Sequence, residues 1–243
     1  MSTLRFATAP AILLFALATP AHAQVAIDSA TRTLDTRAAV DGTVDDPAPD
    51  IEDALAGVIN KSQTAMASGA DSVTAFASYE TELVASPTAF TFNGGLLAEN
   101  TIDFGLDNDY DGEDLAPSSR SIVELVFTIA TPAEIDLNGT RGTDLGGQPF
   151  SSVQLLQGID VIFESEEDFP QPILTTPFSF VGSLNPGTYT FLARAESGAD
   201  SPFEPETSRV NFRLNVTSIP EPATALTLAL PALALLGRRR RSA

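Results

Sequence analysis

Apolar and polar residues alternate with a period of two in several short segments, and this alternation restricts the fold more than any other feature of the sequence. From Val210 to Val216, the apolar residues Val210, Phe212, Leu214 and Val216 alternate with polar ones. Such a pattern is typical of a strand that buries one face. The same period predicts buried rows at Tyr189, Phe191, Ala193 and Ala195, at Val123, Leu125, Phe127 and Ile129, at Ile159, Val161 and Phe163, and in the pairs Phe90 and Phe92, Ile135 and Leu137, and Phe178 and Phe180.

Clusters of Gly, Asn and Pro lie between these segments and predict the turns that join them. Residues 73–84 fit a strand or a helix, and the strand is favoured because Val, Thr, Phe and Tyr are frequent there. Short alternating strands separated by turns indicate an all-β fold, an antiparallel β-sandwich of jelly-roll type. The predicted turns are Asn93-Gly94-Gly95, Asn138-Gly139, Gly146-Gly147 and Asn185-Pro186-Gly187.

The segment before these strands is less regular. Asp45 to Asp50 contains three aspartates and two prolines, which predicts an acidic loop. Ile51 to Ile59 is predicted to form a short helix, because Asp50 is a favourable N-cap residue.

Acidic residues far outnumber basic ones. The 243 residues include 32 acidic and 13 basic side chains, a formal net charge of −19. Within residues 24–217 the counts are 31 and 8, a net charge of −23. Such a surface repels nucleic acid and anionic lipid, so neither is expected as a partner. The chain has no cysteine and therefore no disulfide, but residues 24–217 are numerous enough to form one domain with its own core.

The first 23 residues predict a secretory signal peptide. A short apolar run from Ile12 to Leu17 is followed by Ala21 and Ala23, which are small residues at the two positions that a signal peptidase requires. We therefore expect Sec-dependent export, with signal peptidase cutting before Gln24. A transmembrane anchor is the alternative, but the run is too short and lacks a stop-transfer flank.

The last segment, residues 218–243, has three parts in a fixed order. Pro220, Glu221 and Pro222 predict an extended peptide, because each proline fixes φ and restricts the residue before it. Residues 223–236 carry no charge and predict an apolar transmembrane helix, although at roughly 21 Å it is shorter than a bilayer core. A basic cluster follows, which the positive-inside bias would hold in the cytoplasm; it consists of Arg238, Arg239, Arg240 and Arg241.

Pro-Glu-Pro followed by a short apolar helix and a basic end resembles the PEP-CTERM sorting signal of Gram-negative bacteria. Members of that family are recognised by exosortase, a membrane protease-transpeptidase. The resemblance covers about a tenth of the chain. It implies that the tail inserts transiently into the inner membrane, is recognised around Pro220, Glu221 and Pro222 and is then removed. It also implies that the body reaches the cell surface or extracellular matrix, often beside exopolysaccharide.

The alternative hypothesis for this tail is an ordinary C-terminal membrane anchor after a Pro-rich stalk, although a permanent membrane anchor is rarely so short. The resemblance does not say whether the processed end becomes attached to a lipid or a glycan.

An acidic loop at residues 107–114 is a candidate calcium site. Asp107, Asp109 and Asp111 alternate before a glycine, and Glu113 follows, which resembles the first half of a calcium-binding loop. The resemblance ends at Ser118, where such a loop carries a bidentate glutamate. The alternative is a solvated acidic loop between two strands, as is also predicted for Glu164 to Asp168. No cofactor other than Ca²⁺ is indicated.

Catalysis finds little support in the residue types present. The only histidine, His22, lies in the predicted signal peptide, so a mature protein has no His-based triad and no His-ligated zinc. A cysteine nucleophile is also absent. Two carboxylates suffice for glycoside hydrolysis, but no pair stands out among so many acids. Trp, the best residue for stacking on sugars, is absent, and Tyr189 alternates with core residues, which predicts that it is packed.

Two classes of function therefore stay open. The first is a non-enzymatic surface or matrix protein that is exported, sorted through its tail by an exosortase, and associated with exopolysaccharide or biofilm. The second is a binding module that holds calcium or carbohydrate with the loop at residues 107–114.

Overall fold

The computed structural model describes residues 24–40, 42–69, 71–103, 117–143, 149–167, 175–198 and 206–219. The regular elements in these ranges are 13 β-strands in two antiparallel sheets, which pack face to face around one main core. The described ranges contain no helix that is long and apolar enough to cross a membrane. The predicted all-β sandwich is confirmed.

The seven-stranded sheet runs in the order β10, β9, β12, β7, β1, β2, and β3 also pairs with β1. Its strands are β1 (Val25–Val40), β2 (Thr43–Asp45), β3 (Asp50–Glu52), β7 (Ser118–Ile129), β9 (Phe150–Gln157), β10 (Asp160–Glu167) and β12 (Gly187–Gly198).

The six-stranded sheet runs in the order β11, β8, β13, β6, β5, β4. Its strands are β4 (Gly57–Ser68), β5 (Ser72–Ser86), β6 (Ala89–Asp103), β8 (Ala133–Thr143), β11 (Thr176–Leu184) and β13 (Glu206–Ser218).

Strands β6 to β13 have the strand order of a jelly roll. One half is β6, β13, β8 and β11, the other is β7, β12, β9 and β10, and the chain crosses between them at every step except the β9–β10 hairpin. Strands β4 and β5 extend the first half, and β1 to β3 extend the second. The prediction of jelly-roll type thus holds for eight of the 13 strands.

The inward-facing rows change character along the strands. Near the end that carries Gln24, they are large and apolar, and the rings of Phe92, Phe191 and Phe212 lie 4.8–6.2 Å apart between centroids. Toward the opposite end, β1, β4 and β5 bury a second, small apolar cluster that includes Val40 and Val73. The inward residues of β6, β7, β12 and β13 become polar there yet stay buried; among them are Ser119, Ser121, Ser197, Ser208, Asn100 and Glu206. The predicted rows on β7, β12 and β13 and the packing of Tyr189 are confirmed.

The predicted helix from Ile51 to Ile59 is wrong. Residues Asp50–Glu52 form β3, and β4 begins at Gly57. The backbone of β3 pairs with Arg32 to Leu34 of β1, while the Ile51 side chain is 62% exposed. Tertiary pairing with β1 therefore overrides a local preference for helix.

The predicted buried row of Ile159, Val161 and Phe163 is also largely wrong. Ile159 is 96% exposed and Val161 54% exposed, because β10 lies at the edge of its sheet and follows a tight turn at Gly158. The register with β9 shifts between Val161 and Phe163, so that only Phe163 packs against the core. Phe180 stacks on it at 5.5 Å between ring centroids and is itself only half-buried.

Two of the predicted turns lie inside strands. Gly94 and Gly95 belong to β6 and Gly139 to β8, because the ring of Phe212 lies over Gly94 and the carbonyl oxygen of Asn211 fills the place of a side chain at Gly139. The turn at Asn185-Pro186-Gly187 is confirmed, and Gly146-Gly147 lies outside the described residues.

The predicted loop from Glu164 to Asp168 is strand as far as Glu167. Its last residue, Asp168, lies outside the described residues.

Candidate functional site

A polar groove crosses the outer face of the six-stranded sheet. Asn60, Glu80, Gly95 and Asn211 are successive register partners on β4, β5, β6 and β13. Their chain neighbours, such as Tyr79, point into the core, so these four residues face outward. Because Gly95 has no side chain, the middle of the row is a depression whose floor is backbone.

The groove consists of two depressions of about 470 Å³ and 380 Å³ that share Glu80, Gly95 and Asn211. A Cβ atom at Gly95 would lie 3.0 Å from Oδ1 of Asn211 and would project into the groove. Further outward-facing side chains line its banks, namely Val58, Ser78, Glu82, Asn93, Leu97, Glu99, Thr207 and Arg209.

The two banks of the groove differ in charge. Glu80, Glu82 and Glu99 lie on β5 and β6, whereas Arg209 lies on β13. The lining therefore carries three carboxylates and one guanidinium, together with amides that both donate and accept hydrogen bonds. Such a lining can bind hydroxyl and ammonium groups. Within the described ranges, no three acidic side chains come together as a metal-binding group.

A second polar cluster lies inside the sandwich below β3. The guanidinium of Arg32 is fully buried, and its Nε donates a 2.6 Å hydrogen bond to Oγ1 of Thr81. Its Nη1 donates to the carbonyl oxygen of Ala54 at 2.9 Å, and the group lies 5.6 Å from the centre of the Phe92 ring. Burial lowers the pKa of Arg32. These contacts tie β1, β5 and the segment after β3 together, which is a structural role.

The only lysine of the chain, Lys61 on β4, forms ion pairs with two carboxylates of β3. Nζ of Lys61 lies 3.0 Å from Oδ1 of Asp50 and 3.2 Å from Oε2 of Glu52. The hydrogen bond to Asp50 raises the pKa of Lys61 most, and the hydrogen bond to Glu52 raises it further. On the same side, the backbone N–H of Met66 donates to Asp45 at 2.8 Å, which blocks one donor of the edge strand β4.

The buried polar residues at the far end of the core join the two sheets. Nδ2 of Asn100 donates to Oγ of Ser197 at 3.1 Å, and Ser197 lies 3.3 Å from the carboxylate of Glu206. Oγ of Ser119 donates to the carbonyl oxygen of Glu99 at 3.3 Å. These hydrogen bonds join strands of the two sheets, so the cluster fixes the spacing between the sheets at this end.

The described domain begins and ends at adjacent points of the sandwich. The N–H of Gln24 donates to the carbonyl oxygen of Pro87 at 2.8 Å, and the N–H of Ile219 donates to that of Pro132 at 2.7 Å. Oγ of Ser218 donates to Oε1 of Gln24 at 2.6 Å. The residue after the predicted signal peptide thus lies beside the first residues of the predicted sorting segment, just before Pro220.

Of the residues predicted from the sequence to form sites, the structure describes only Gln24. The others lie outside the described residues: Ala21 and Ala23 of the cleavage site, Asp107, Asp109, Asp111 and Glu113 of the candidate calcium loop, and Pro220, Glu221, Pro222 and Arg238 to Arg241 of the tail. The candidate calcium loop connects β6 to β7.

The groove is not predictable from local sequence patterns. Its one local signal is the pair Gly94-Gly95, which resembles a turn but is flanked by strand-forming residues on both sides. Placing Glu80 and Asn211 beside Gly95 requires the register of three strands, and β13 is more than 100 residues from the other two.

Comparisons with known proteins do not assign a family. No family model and no curated protein matches the chain. Among solved structures, the chain is similar to one titled "Structure of infectious bursal disease virus Gx strain", with 12% identity and a TM-score of 0.25. The match covers 80% of this chain and 58% of that one, and so it extends over less than two thirds of the viral chain. Similarity at this level identifies neither a family nor a function.

Proposed function

We propose that this chain is a non-enzymatic, exported surface or extracellular-matrix protein that an exosortase sorts through its tail. The motif that carries the proposal is Pro220-Glu221-Pro222, followed by the apolar segment 223–236 and the four arginines. In this proposal the tail holds the protein transiently in the inner membrane, with Arg238 to Arg241 in the cytoplasm. Cleavage then releases the β-sandwich to the cell surface or matrix, beside exopolysaccharide.

The boundaries of the folded domain support this proposal. The first strand begins at Val25, one residue after the predicted cleavage position, and the last strand ends at Ser218, two residues before Pro220. Cutting before Gln24 and again around Pro220 to Pro222 would therefore remove no strand residue. Both cuts would leave the hydrogen bonds of the sandwich intact.

The side chains available in the body support a non-enzymatic role. Residues 24–217 contain no histidine and no cysteine, which leaves acid–base chemistry to carboxylates, lysine and tyrosine. The single lysine is held between Asp50 and Glu52, and Tyr79 and Tyr189 are buried.

The experiment that tests the proposal is intact mass spectrometry of protein recovered from the cell exterior. We expect a mature form that begins at Gln24 and ends near Pro220 to Pro222. Deleting the host's exosortase gene, or replacing Glu221 in Glu221→Ala, should keep the tail on the protein. A secreted form that still contains Arg241 would refute sorting.

Calcium binding by residues 107–114 is a second candidate function. The observation that favours it is the alternation of Asp107, Asp109 and Asp111 before Gly112. Calorimetry with Ca²⁺ on the exported body should give heat that Asp109→Ala abolishes and that Asp53→Ala, an exposed control, leaves unchanged. Absence of heat and of a melting shift at millimolar Ca²⁺ would exclude it.

A further inference from the structure

We infer that the groove around Gly95 binds a polyhydroxylated chain that carries ammonium groups, which means a polymer of amino sugars with free amines. This inference deepens the proposed function and rests on it, because such polymers are met outside the cell. It concerns different residues from the candidate calcium loop and the sorting tail, and it follows from the shape, polarity and charge of the groove.

The shape of the groove suits an extended polymer. The row from Asn60 through Glu80 and Gly95 to Asn211 crosses four strands, about 14 Å at the usual strand spacing. Gly95 lets a ligand approach the backbone at the middle of this row. The groove is open to solvent, so a long chain can lie across the sheet and continue beyond both ends.

The lining offers hydrogen-bonding groups of both kinds. The amides of Asn60, Asn93 and Asn211 each donate and accept, and the carboxylate of Glu80 accepts. A hydroxyl group likewise donates and accepts, so neighbouring hydroxyls of a sugar ring match these side chains. Asn60, Glu80 and Asn211 are exposed, and binding therefore need not uncover them.

The charge of the groove selects among polyhydroxylated chains. Three carboxylates and one guanidinium leave the lining at −2, within a body whose net charge is −23. Electrostatic complementarity favours a cationic polymer and opposes uronic-acid polymers and nucleic acid. Ammonium groups on the sugar would find acceptors in Glu80, Glu82 and Glu99.

A cationic peptide is a poorer match than an amino-sugar chain. Peptides commonly dock on a sheet by adding a strand to an open edge. Of the four strands that the groove crosses, β5, β6 and β13 have hydrogen-bonded neighbours on both sides, and only β4 lies at the sheet edge. The backbone groups of β5, β6 and β13 are therefore engaged in strand pairing, so a ligand over the centre of the groove meets side chains. Beside the groove, Phe76 is a register partner of Glu99 on the same face, and its half-buried ring can contact the apolar side of a sugar ring that extends past Glu99.

The test is calorimetric titration of the exported body with glucosamine hexamer, its N-acetylated form, a uronic-acid hexamer and a lysine hexapeptide. We expect the glucosamine hexamer to bind, the N-acetylated form to bind at least tenfold more weakly, and the other two to show no heat. Glu80→Gln should weaken binding of the glucosamine hexamer about tenfold. Gly95→Leu should abolish it, because the new side chain fills the groove.

The matched control is Glu124→Gln, which makes the same charge change on the outer face of the opposite sheet and should leave affinity unchanged. Equal affinities of the wild type and Glu80→Gln would overturn the inference, even if Gly95→Leu fails to fold. Equal binding of the lysine hexapeptide, or a loss of affinity in Glu124→Gln, would show nonspecific charge attraction and overturn it too. The mass of the exported form is independent of these outcomes, so sorting and binding can fail separately.

Discussion

The side chains of Gln24 and Ser218 meet at one end of the sandwich, where Oγ of Ser218 donates a 2.6 Å hydrogen bond to Oε1 of Gln24. These residues are separated by 194 positions in the chain. Gln24 is also the expected first residue of the mature protein, and its backbone nitrogen donates to Pro87. The first and last residues of the folded domain therefore contact each other, close to the two positions where cleavage is proposed.

Removing the hydrogen bond between Ser218 and Gln24 should destabilise the sandwich. In Ser218→Ala the free energy of unfolding is expected to fall by about 1 kcal/mol, because one buried partner of the hydrogen bond is lost. Urea denaturation of the protein measures the change. Ser183→Ala, at an exposed position of β11, is the control and should change stability by less than about 0.5 kcal/mol. Equal effects of the two substitutions would contradict the assigned role of Ser218.

The buried guanidinium of Arg32 is stabilised by hydrogen bonds to neutral groups. Thr81→Val removes the acceptor of the Nε hydrogen bond and leaves a charged donor unsatisfied, and we expect a loss of about 2 kcal/mol. Chemical denaturation curves measure it, with the exposed Thr217→Val as the control. A Thr81→Val protein as stable as Thr217→Val would show that the hydrogen bond contributes nothing.

Stability is expected to fall at alkaline pH. Hydrogen bonds to Asp50 and Glu52 raise the pKa of Lys61, and burial raises the pKa of Tyr79. Both groups hold their proton more tightly when folded, so their contributions are complete below the unfolded pKa values of about 10 and are lost as pH rises through the folded ones. Urea midpoints between pH 8 and pH 11 should show the decline.

Tyr79→Phe and Lys61→Met should each make this alkaline decline shallower. Tyr79→Phe should cost little at pH 8, because the buried hydroxyl has no hydrogen-bond partner in the described structure. The part of the tyrosine absorbance change that Tyr79→Phe removes should coincide with unfolding in the wild type. A decline equally steep in both variants and the wild type would contradict these assignments.

Only glycine fits at position 139, because the backbone of the neighbouring strand β13 occupies the space of a side chain. A Cβ atom there would overlap the carbonyl oxygen of Asn211, which is backbone and cannot rotate away. Gly139→Ala should therefore destabilise the protein by about 3 kcal/mol or prevent folding. Gly198→Ala, where a Cβ meets nothing within 4 Å, is the control and should fold with nearly unchanged stability. Thermal melts of both variants decide the matter.

Much of the fold could be predicted from alternation alone. The rows on β7, β12 and β13 were predictable because each strand buries one face, so that burial follows a period of two. Ile159 and Val161 broke the rule because edge strands bury less, and an edge is a property of sheet order rather than of local sequence. Gly94 and Gly139 were predicted to lie in turns, but both lie within strands, where the absence of a side chain allows a neighbouring strand to pack closely.

By itself the sequence determined the β class of the domain, its acidic surface and the two terminal motifs on which export and sorting are proposed. These properties reside in residue types and in short periods along the chain. The tertiary structure alone decided that Glu80, Gly95 and Asn211 form one groove and that Gln24 meets Ser218. Strand register brings such residues together across 15 to 194 positions, and register depends on the packing of two whole sheets rather than on any local pattern.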